Sequence, residues 1–212
     1  MFNKTVFQIS FVLAMLTGVA LPSAAEAAPR YATLQIPVYG NIVETEMPLD
    51  WQHKPAFQKA AARSYILEVL PKGQTLTTWQ EMITVTGSKG TPFSAKESFN
   101  TLQRQHEFIC GKKNVATTVY QDSPDLFMVL LKCGGVLEQF AGLAGLKKDQ
   151  GEMALYKVEK RDGNLYMIFK SWRGKSYDAS SARGDELPAS EKDVRDYLDV
   201  LTRSTLVKKS SR

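Results

Sequence analysis

The dipeptide Asp162-Gly163 restricts the fold of this chain more than any other feature. It stands between two runs rich in apolar residues, 153–159 and 164–172. Asp-Gly is typical of a two-residue hairpin loop, because both of its positions tolerate the positive φ that a type I′ turn requires. An antiparallel hairpin is therefore predicted here, and the rest of the fold must be built around it.

Five further runs have the composition of strands and are bounded by turn-forming residues. They are residues 31–38, 63–70, 78–86, 114–121 and 126–133. The connections between strands that follow each other in the chain are short. Short connections are typical of antiparallel pairs, since parallel strands need a long crossover.

Two segments carry the signals of amphipathic helices. Each opens with a capping box, Ser94 with Glu97 and Ser190 with Asp193, in which the two side chains satisfy amides at the start of a helix. Residues that are mostly apolar then recur at helical spacing along one face. They are Phe99, Leu102, His106 and Ile109 in the first segment, and Val194, Tyr197, Leu198 and Leu201 in the second.

These elements predict an α+β fold, an antiparallel sheet with two main helices packed on one face in a two-layer α/β sandwich. A doubly wound sheet is disfavoured because strands and helices do not alternate regularly. The predicted organisation is a signal peptide over residues 1–27, an irregular N-terminal segment over 28–62, a single α+β domain over 63–207 and a disordered basic tail over 208–212.

The N-terminus has the pattern of a secretory signal peptide. Lys4 precedes an almost entirely apolar run over residues 6–21, and Ala25-Glu26-Ala27 fits the A-x-A cleavage pattern. The alternative is a membrane anchor, but an anchor needs about 20 apolar residues. Cleavage after Ala27 is predicted, which makes the protein periplasmic or secreted. No transmembrane segment is predicted after cleavage.

The two cysteines of the chain, Cys110 and Cys133, are predicted to form a disulfide. Exported proteins with an even number of cysteines usually pair them, and only one pairing exists here. Closing a loop of about 24 residues stabilises a fold by roughly 3 kcal/mol in the chain-entropy account. The alternative, a reactive thiol pair, lacks a Cys-x-x-Cys motif. Without free cysteines or paired histidines, no metal site is predicted.

The charge balance argues against nucleic acid as a partner. The chain has 27 basic and 22 acidic residues, a net charge of +5. Four of the basic residues fall in the last ten positions, so the rest of the chain is close to neutral. A nucleic-acid-binding protein would instead carry Lys and Arg across one face of its fold.

Few residues are candidates for catalysis or ligand binding. His106 is a weak catalytic candidate because histidine is the commonest acid–base residue and this one lies on an apolar helix face. The alternative is that its imidazole packs at the edge of the core and bonds a backbone group. Trp51, Trp79 and Trp172 are a candidate ligand groove, unless they simply cap the core. The glycines lack phosphate-binding spacing, and no cofactor is predicted.

The chain also resembles a known group of proteins. Pro71-Lys72-Gly73, the run Trp79-Gln80-Glu81-Met82-Ile83-Thr84-Val85 and Trp172-Arg173-Gly174 are similar to motifs of small exported proteobacterial proteins of unknown function. The order of elements over about residues 60–175 is similar to the α/β sandwich of the Mog1/PsbP-like fold. The resemblance implies no catalytic residues.

Two functions are compatible with these sequence features. The first is an exported envelope or secreted protein that acts as a non-enzymatic binding or accessory module, with an envelope or extracellular protein or a glycan as its partner. The alternative is a secreted hydrolase or toxin-like effector that uses His106 as a general base.

Overall fold

The computed structural model describes residues 31–142 and 145–209, so the predicted signal peptide lies outside the described residues. The helices are α1 (Ala95–Cys110) and α2 (Glu191–Arg203). The strands are β1 (Tyr31–Val38), β2 (Asn41–Pro48), β3 (Phe57–Ala60), β4 (Ser64–Val69), β5 (Glu81–Ser88), β6 (Val115–Asp122), β7 (Leu126–Cys133), β8 (Gln150–Arg161), β9 (Asn164–Lys175) and β10 (Thr205–Lys208).

The strands form two antiparallel sheets. The larger has the order β3-β4-β5-β9-β8-β7-β6, and the smaller has the order β1-β2-β10. The predicted hairpin β8–β9 lies inside the larger sheet and turns at Asp162 and Gly163, whose φ angles are 51° and 72°. The predicted hairpin is confirmed, and each of its strands is longer than the sequence pattern indicated.

Both predicted helices are present with their capping boxes. Ser94 Oγ accepts a hydrogen bond from the Glu97 amide, and Ser190 Oγ accepts one from the Asp193 amide. Gly111 follows α1 with a φ of 82°, a conformation that a residue with a Cβ adopts reluctantly. Local capping therefore places the starts of both helices as the sequence predicts.

The two helices cover opposite faces of the larger sheet. Phe127, Val129 and Leu131 of β7 pack in one core with α1, whereas Met128 and Leu130 pack in the other core with α2 and the smaller sheet. The predicted α+β class with an antiparallel sheet is confirmed, but the helices do not share one face. Strands β7 to β9 are apolar at consecutive positions, so both faces of the sheet have to be covered.

The segment predicted to be irregular, 28–62, contains three strands over its described part. In β2 the buried side chains alternate and are Asn41, Val43, Thr45 and Met47. Two of the four are polar, which hides the strand from a hydrophobicity pattern. Both have partners in the core: Asn41 Nδ2 donates to Tyr166 Oη at 2.8 Å, and the hydroxyls of Thr45 and Ser204 lie 2.8 Å apart. Asn41 Oδ1 is buried without a hydrogen-bond partner among the described residues.

The C-terminal boundary also differs from the prediction of a disordered tail from residue 208. Lys208 ends β10, where it pairs with Asn41 of β2. The Lys209 amide donates to the Gly40 carbonyl oxygen at 3.0 Å. Both residues are therefore ordered by the smaller sheet, and residues 210–212 lie outside the described part of the chain. No helix within the described ranges is long and apolar enough to span a bilayer.

Candidate functional site

His106 lies half-buried on α1 and is hydrogen-bonded within its own helix. Its Nδ1 lies 3.0 Å from the carbonyl oxygen of Leu102, which can only accept, so Nδ1 carries the proton. Among the described residues, no carboxylate or hydroxyl hydrogen-bonds to this imidazole. The structure thus shows the packing arrangement that the sequence left open as the alternative to catalysis.

The predicted groove tryptophans are all at least nine-tenths buried. Lys170 Nζ lies 5.2 Å from the ring centroid of Trp51 and 5.1 Å from that of Trp172. The same ammonium is paired with the Glu81 carboxylate at 2.6 Å. These two rings are therefore brought together around a lysine of the protein itself, in cation–π contacts.

Trp79 is covered by a different cation. The guanidinium carbon of Arg173 lies 3.5 Å from its ring centroid, and Arg173 Nε donates to a Glu152 carboxylate oxygen at 2.9 Å. Trp79 and Trp51 line separate cavities, of about 460 and 270 Å³. The prediction of a common ligand groove gains no support from this arrangement.

The predicted disulfide between Cys110 and Cys133 is present, with the two Cα atoms 6.0 Å apart. Both cysteines are buried beside Val136 and Leu146. The bridge joins the last residue of α1 to the last residue of β7, so it holds that helix against its face of the sheet.

A cleft lies between α2 and the edge of the larger sheet, with a volume of about 340 Å³. We call it the α2 cleft. Its apolar lining residues are Tyr120, Leu130, Met153, Leu187, Ala189, Val194 and Leu198, and its charged ones are Lys132, Glu191 and Arg195. The predominantly apolar wall with a few polar groups is the usual composition of a binding site.

The cleft arises from where α2 sits on the sheet. Tyr197, Val200 and Leu201 are buried on α2, which contacts β8, β9 and β2. Strands β7 and β6 continue beyond the helix, and β6 is the last strand of its sheet. The register of β6 shifts between Val119 and Gln121, which leaves Tyr120 unpaired with β7 at the cleft wall.

The edge beside the cleft is apolar and open. Val119 is 50% exposed and Tyr120 is 40% exposed. A terminal strand also has unpaired amide and carbonyl groups along its outer side, which proteins commonly use to pair with another chain. Tyr120 belongs to both the cleft wall and this terminal strand, so the cleft opens directly onto the strand edge.

The charged side chains that line the cleft are not paired with one another or with other described residues. Within residues 31–142 and 145–209, neither Lys132 nor Arg195 has a hydrogen-bond partner or a carboxylate within 4.0 Å. Burial lowers the pKa of the half-buried Lys132, and Arg183 lowers that pKa further against the opposing effect of Asp178. Glu191, in the first turn of α2, likewise has no ion pair with any residue that the structure describes.

The sequence did contain one signal for this site. Lys132 is the one charged residue in the apolar run Leu126–Cys133, where it interrupts a strand that is otherwise built for the core. The contributions of Tyr120 and Arg195 had no such signal, because they depend on a strand bulge and on the position of α2.

No protein-family model and no curated protein matches this chain. Solved structures do. The Ran-binding protein Mog1p of Saccharomyces cerevisiae is 14% identical, with a TM-score of 0.51, over 85% of this chain and 97% of that one. The fold is Mog1-like. A point mutant of Mog1 gives a similar result, 16% identity and a TM-score of 0.50 over 84% of this chain and 97% of that chain.

The similarity confirms the Mog1-like fold expected from the sequence. At these identities the similarity concerns the fold, and it transfers no functional residue. The resemblance to exported proteobacterial proteins continues to rest on the three short motifs alone.

Proposed function

We propose that this chain is an exported, non-enzymatic protein-binding module whose binding surface is the α2 cleft and the adjoining edge of β6. The observation that carries the proposal is the cleft itself, an apolar concavity beside an open strand edge that exposes Val119 and Tyr120. Aromatic residues in such positions are enriched at protein interfaces.

The structural neighbours support a binding role. Mog1p is a Ran-binding protein, so one protein of this fold binds another protein. For this chain the inference is a protein partner of some kind and not Ran, because fold does not determine the partner.

Export rests on the N-terminal pattern and on the disulfide. The apolar run over residues 6–21 and the Ala25-Glu26-Ala27 site direct the chain out of the cytoplasm, and disulfides persist in oxidising compartments. The partner is then an envelope or extracellular protein. N-terminal sequencing of the purified protein should begin at Ala28, and a chain that begins at Met1 would contradict export by this route.

The hydrolase alternative needs a second catalytic group beside His106, and among the described residues no carboxylate or hydroxyl hydrogen-bonds to the ring. A general base needs a free nitrogen in reach of substrate and a group that orients the ring. Here the Leu102 carbonyl of the same helix fixes the ring through Nδ1 and leaves Nε2 as the free nitrogen. The described residues provide no charged or hydroxyl partner for it, so binding is the better-supported function.

Site-specific photocrosslinking in the native host tests the proposal. Tyr120 is replaced by p-benzoyl-phenylalanine, and the control position is Phe108, which is 67% exposed on α1 across the sheet. We expect a discrete adduct from position 120 and none from position 108. Absence of an adduct at 120, or the same adducts from both positions, would count against the cleft as the binding surface.

A further inference from the structure

Lys132 occupies an unfavourable position for a charged group. Its side chain is half-buried, and its neighbours along β7, Leu131 and Cys133, are both buried. Removing an ammonium from water without giving it a hydrogen bond costs free energy. Within the described residues it has no partner that offsets this cost.

The charged groups around Lys132 do not neutralise it. Arg183 repels it, and Asp178 is the acid that acts on it. However, Asp178 Oδ1 already accepts hydrogen bonds from the Ser180 amide at 2.8 Å, the Ser180 hydroxyl at 2.6 Å and the Ser181 amide at 3.2 Å. These bonds hold Oδ1 in the loop, and no hydrogen bond or ion pair joins Asp178 to Lys132 among the described residues.

The other charged side chains of the cleft also lack partners of opposite charge among the described residues. Arg195 reaches the cleft from α2 and is exposed, without an ion pair among the described residues. Glu191 is the single acid of the lining against these two cations. An unpaired ammonium and an unpaired guanidinium in one apolar cavity are complementary to an anionic group that also has an apolar part.

We propose that the protein segment bound in the α2 cleft carries a carboxylate side chain that binds Lys132 and Arg195, next to an apolar side chain that packs on Leu130, Val194 and Leu198. This inference rests on the proposed function, since it specifies the chemistry of the partner. A protein segment fits better than a free lipid because Tyr120 of the cleft wall lies on β6, the last strand of its sheet, whose outer edge can pair with the backbone of another chain.

The arrangement would supply specificity. A guanidinium can bind a carboxylate through two parallel hydrogen bonds, and a lysine adds a point charge. A partner with a neutral or basic residue at this place would leave the two cations unpaired in an apolar setting, which disfavours it. The cations thus select among apolar segments that would otherwise fit equally well.

The test uses the mature, disulfide-bonded protein and a randomised peptide library displayed on phage. We expect the enriched peptides to contain Asp or Glu beside an apolar residue. Lys132→Met should weaken binding of an enriched peptide at least tenfold, and so should Glu→Gln or Asp→Asn in the peptide. The matched control is Lys113→Met, which removes the same charge from an exposed site outside the cleft.

Folding of the variant is checked separately. Because Lys132 is half-buried and no described residue pairs with it, Lys132→Met should unfold at the same temperature as the wild type or higher. This expectation separates loss of a binding group from loss of structure.

Three results would overturn the inference. The first is enrichment of peptides without an acidic preference, and the second is equal binding by Lys132→Met and the wild type. The third is Lys132-dependent binding of sodium dodecanoate with no enriched peptide, which would assign the cleft to an amphipathic lipid. The proposed function is judged independently by crosslinking at position 120, which does not depend on the chemistry of the library.

Discussion

At the scale of single residues, Phe99 is the side chain that fixes α1 to the sheet. It is 1% exposed, and its ring centroid lies 5.3 Å from that of Phe127 and 5.8 Å from that of Tyr156. Leu102, on the same face of the helix, is half-buried at the edge of that core. The helical pattern predicts equal burial for the two residues, but the structure buries Phe99 fully and Leu102 only in part.

This difference predicts unequal effects of truncation. Phe99→Ala should lower the free energy of unfolding by about 3–5 kcal/mol, because it leaves a cavity among aromatic rings. Leu102→Ala should cost about 1–2 kcal/mol, since its half-exposed site loses less contact. Urea unfolding of both variants measures the difference. Equal losses would show that α1 is rotated relative to the arrangement described.

At the scale of elements, α2 is tied to the smaller sheet through its last residue. Arg203 Nε donates to Glu46 Oε1 at 3.1 Å, and Nη2 donates to Glu46 Oε2 at 2.7 Å. This pairing with the Arg203 guanidinium lowers the pKa of the Glu46 carboxyl from its ordinary 4.5. The link between helix and strand is therefore sensitive to acid.

A carboxyl group whose pKa is lower in the folded state stabilises the protein fully at pH values above its unfolded-state pKa. This stabilisation is lost as the pH falls through the folded-state pKa. The pair should therefore stabilise the protein above about pH 4.5 and lose this contribution below it, by less than about 1 kcal/mol because Arg203 is 54% exposed. Unfolding free energies of the wild type and Glu46→Gln, measured from pH 7 to pH 3, should converge at the acidic end.

Arg203→Gln provides the matching half of a double-mutant cycle. It should remove the same acid-sensitive contribution, and adding Glu46→Gln to it should remove little more. Additive losses would mean that the two side chains act separately rather than as a pair.

At the scale of the whole molecule, β10 closes the smaller sheet with the C-terminal part of the chain. Leu206 of β10 is 5% exposed and lies opposite Val43 of β2. The Arg161 guanidinium of β8 donates to the Leu206 carbonyl oxygen. One four-residue strand thus connects the smaller sheet with the central hairpin of the larger one.

Ending the chain after Ser204 should therefore lower the free energy of unfolding by at least about 1.5–3 kcal/mol, the value of burying one leucine. Ending it after Lys209 should change stability by less than about 0.5 kcal/mol, because the strand is kept intact. Thermal and urea unfolding compare the two truncations. Equal stability of both would show that β10 contributes nothing to the folded domain.

The sequence by itself determined the features that depend on near neighbours in the chain. Asp162-Gly163 marks the hairpin because the turn needs residues that tolerate positive φ, and the capping boxes mark both helix starts because they satisfy amides three residues away. The pairing of Cys110 with Cys133 was also predictable from the sequence, for a different reason: two cysteines allow only one bridge.

Tertiary structure alone decided the features that depend on contacts between distant segments. Strand β2 forms because Asn41 and Thr45 find partners in Tyr166 and Ser204, more than a hundred residues away. The helices lie on opposite faces because the central strands are apolar on both. The α2 cleft exists because the helix stops short of the sheet edge, which places Lys132 of β7 and Arg195 of α2 in one cavity. Local patterns contain none of this information, since it arises only when the layers pack.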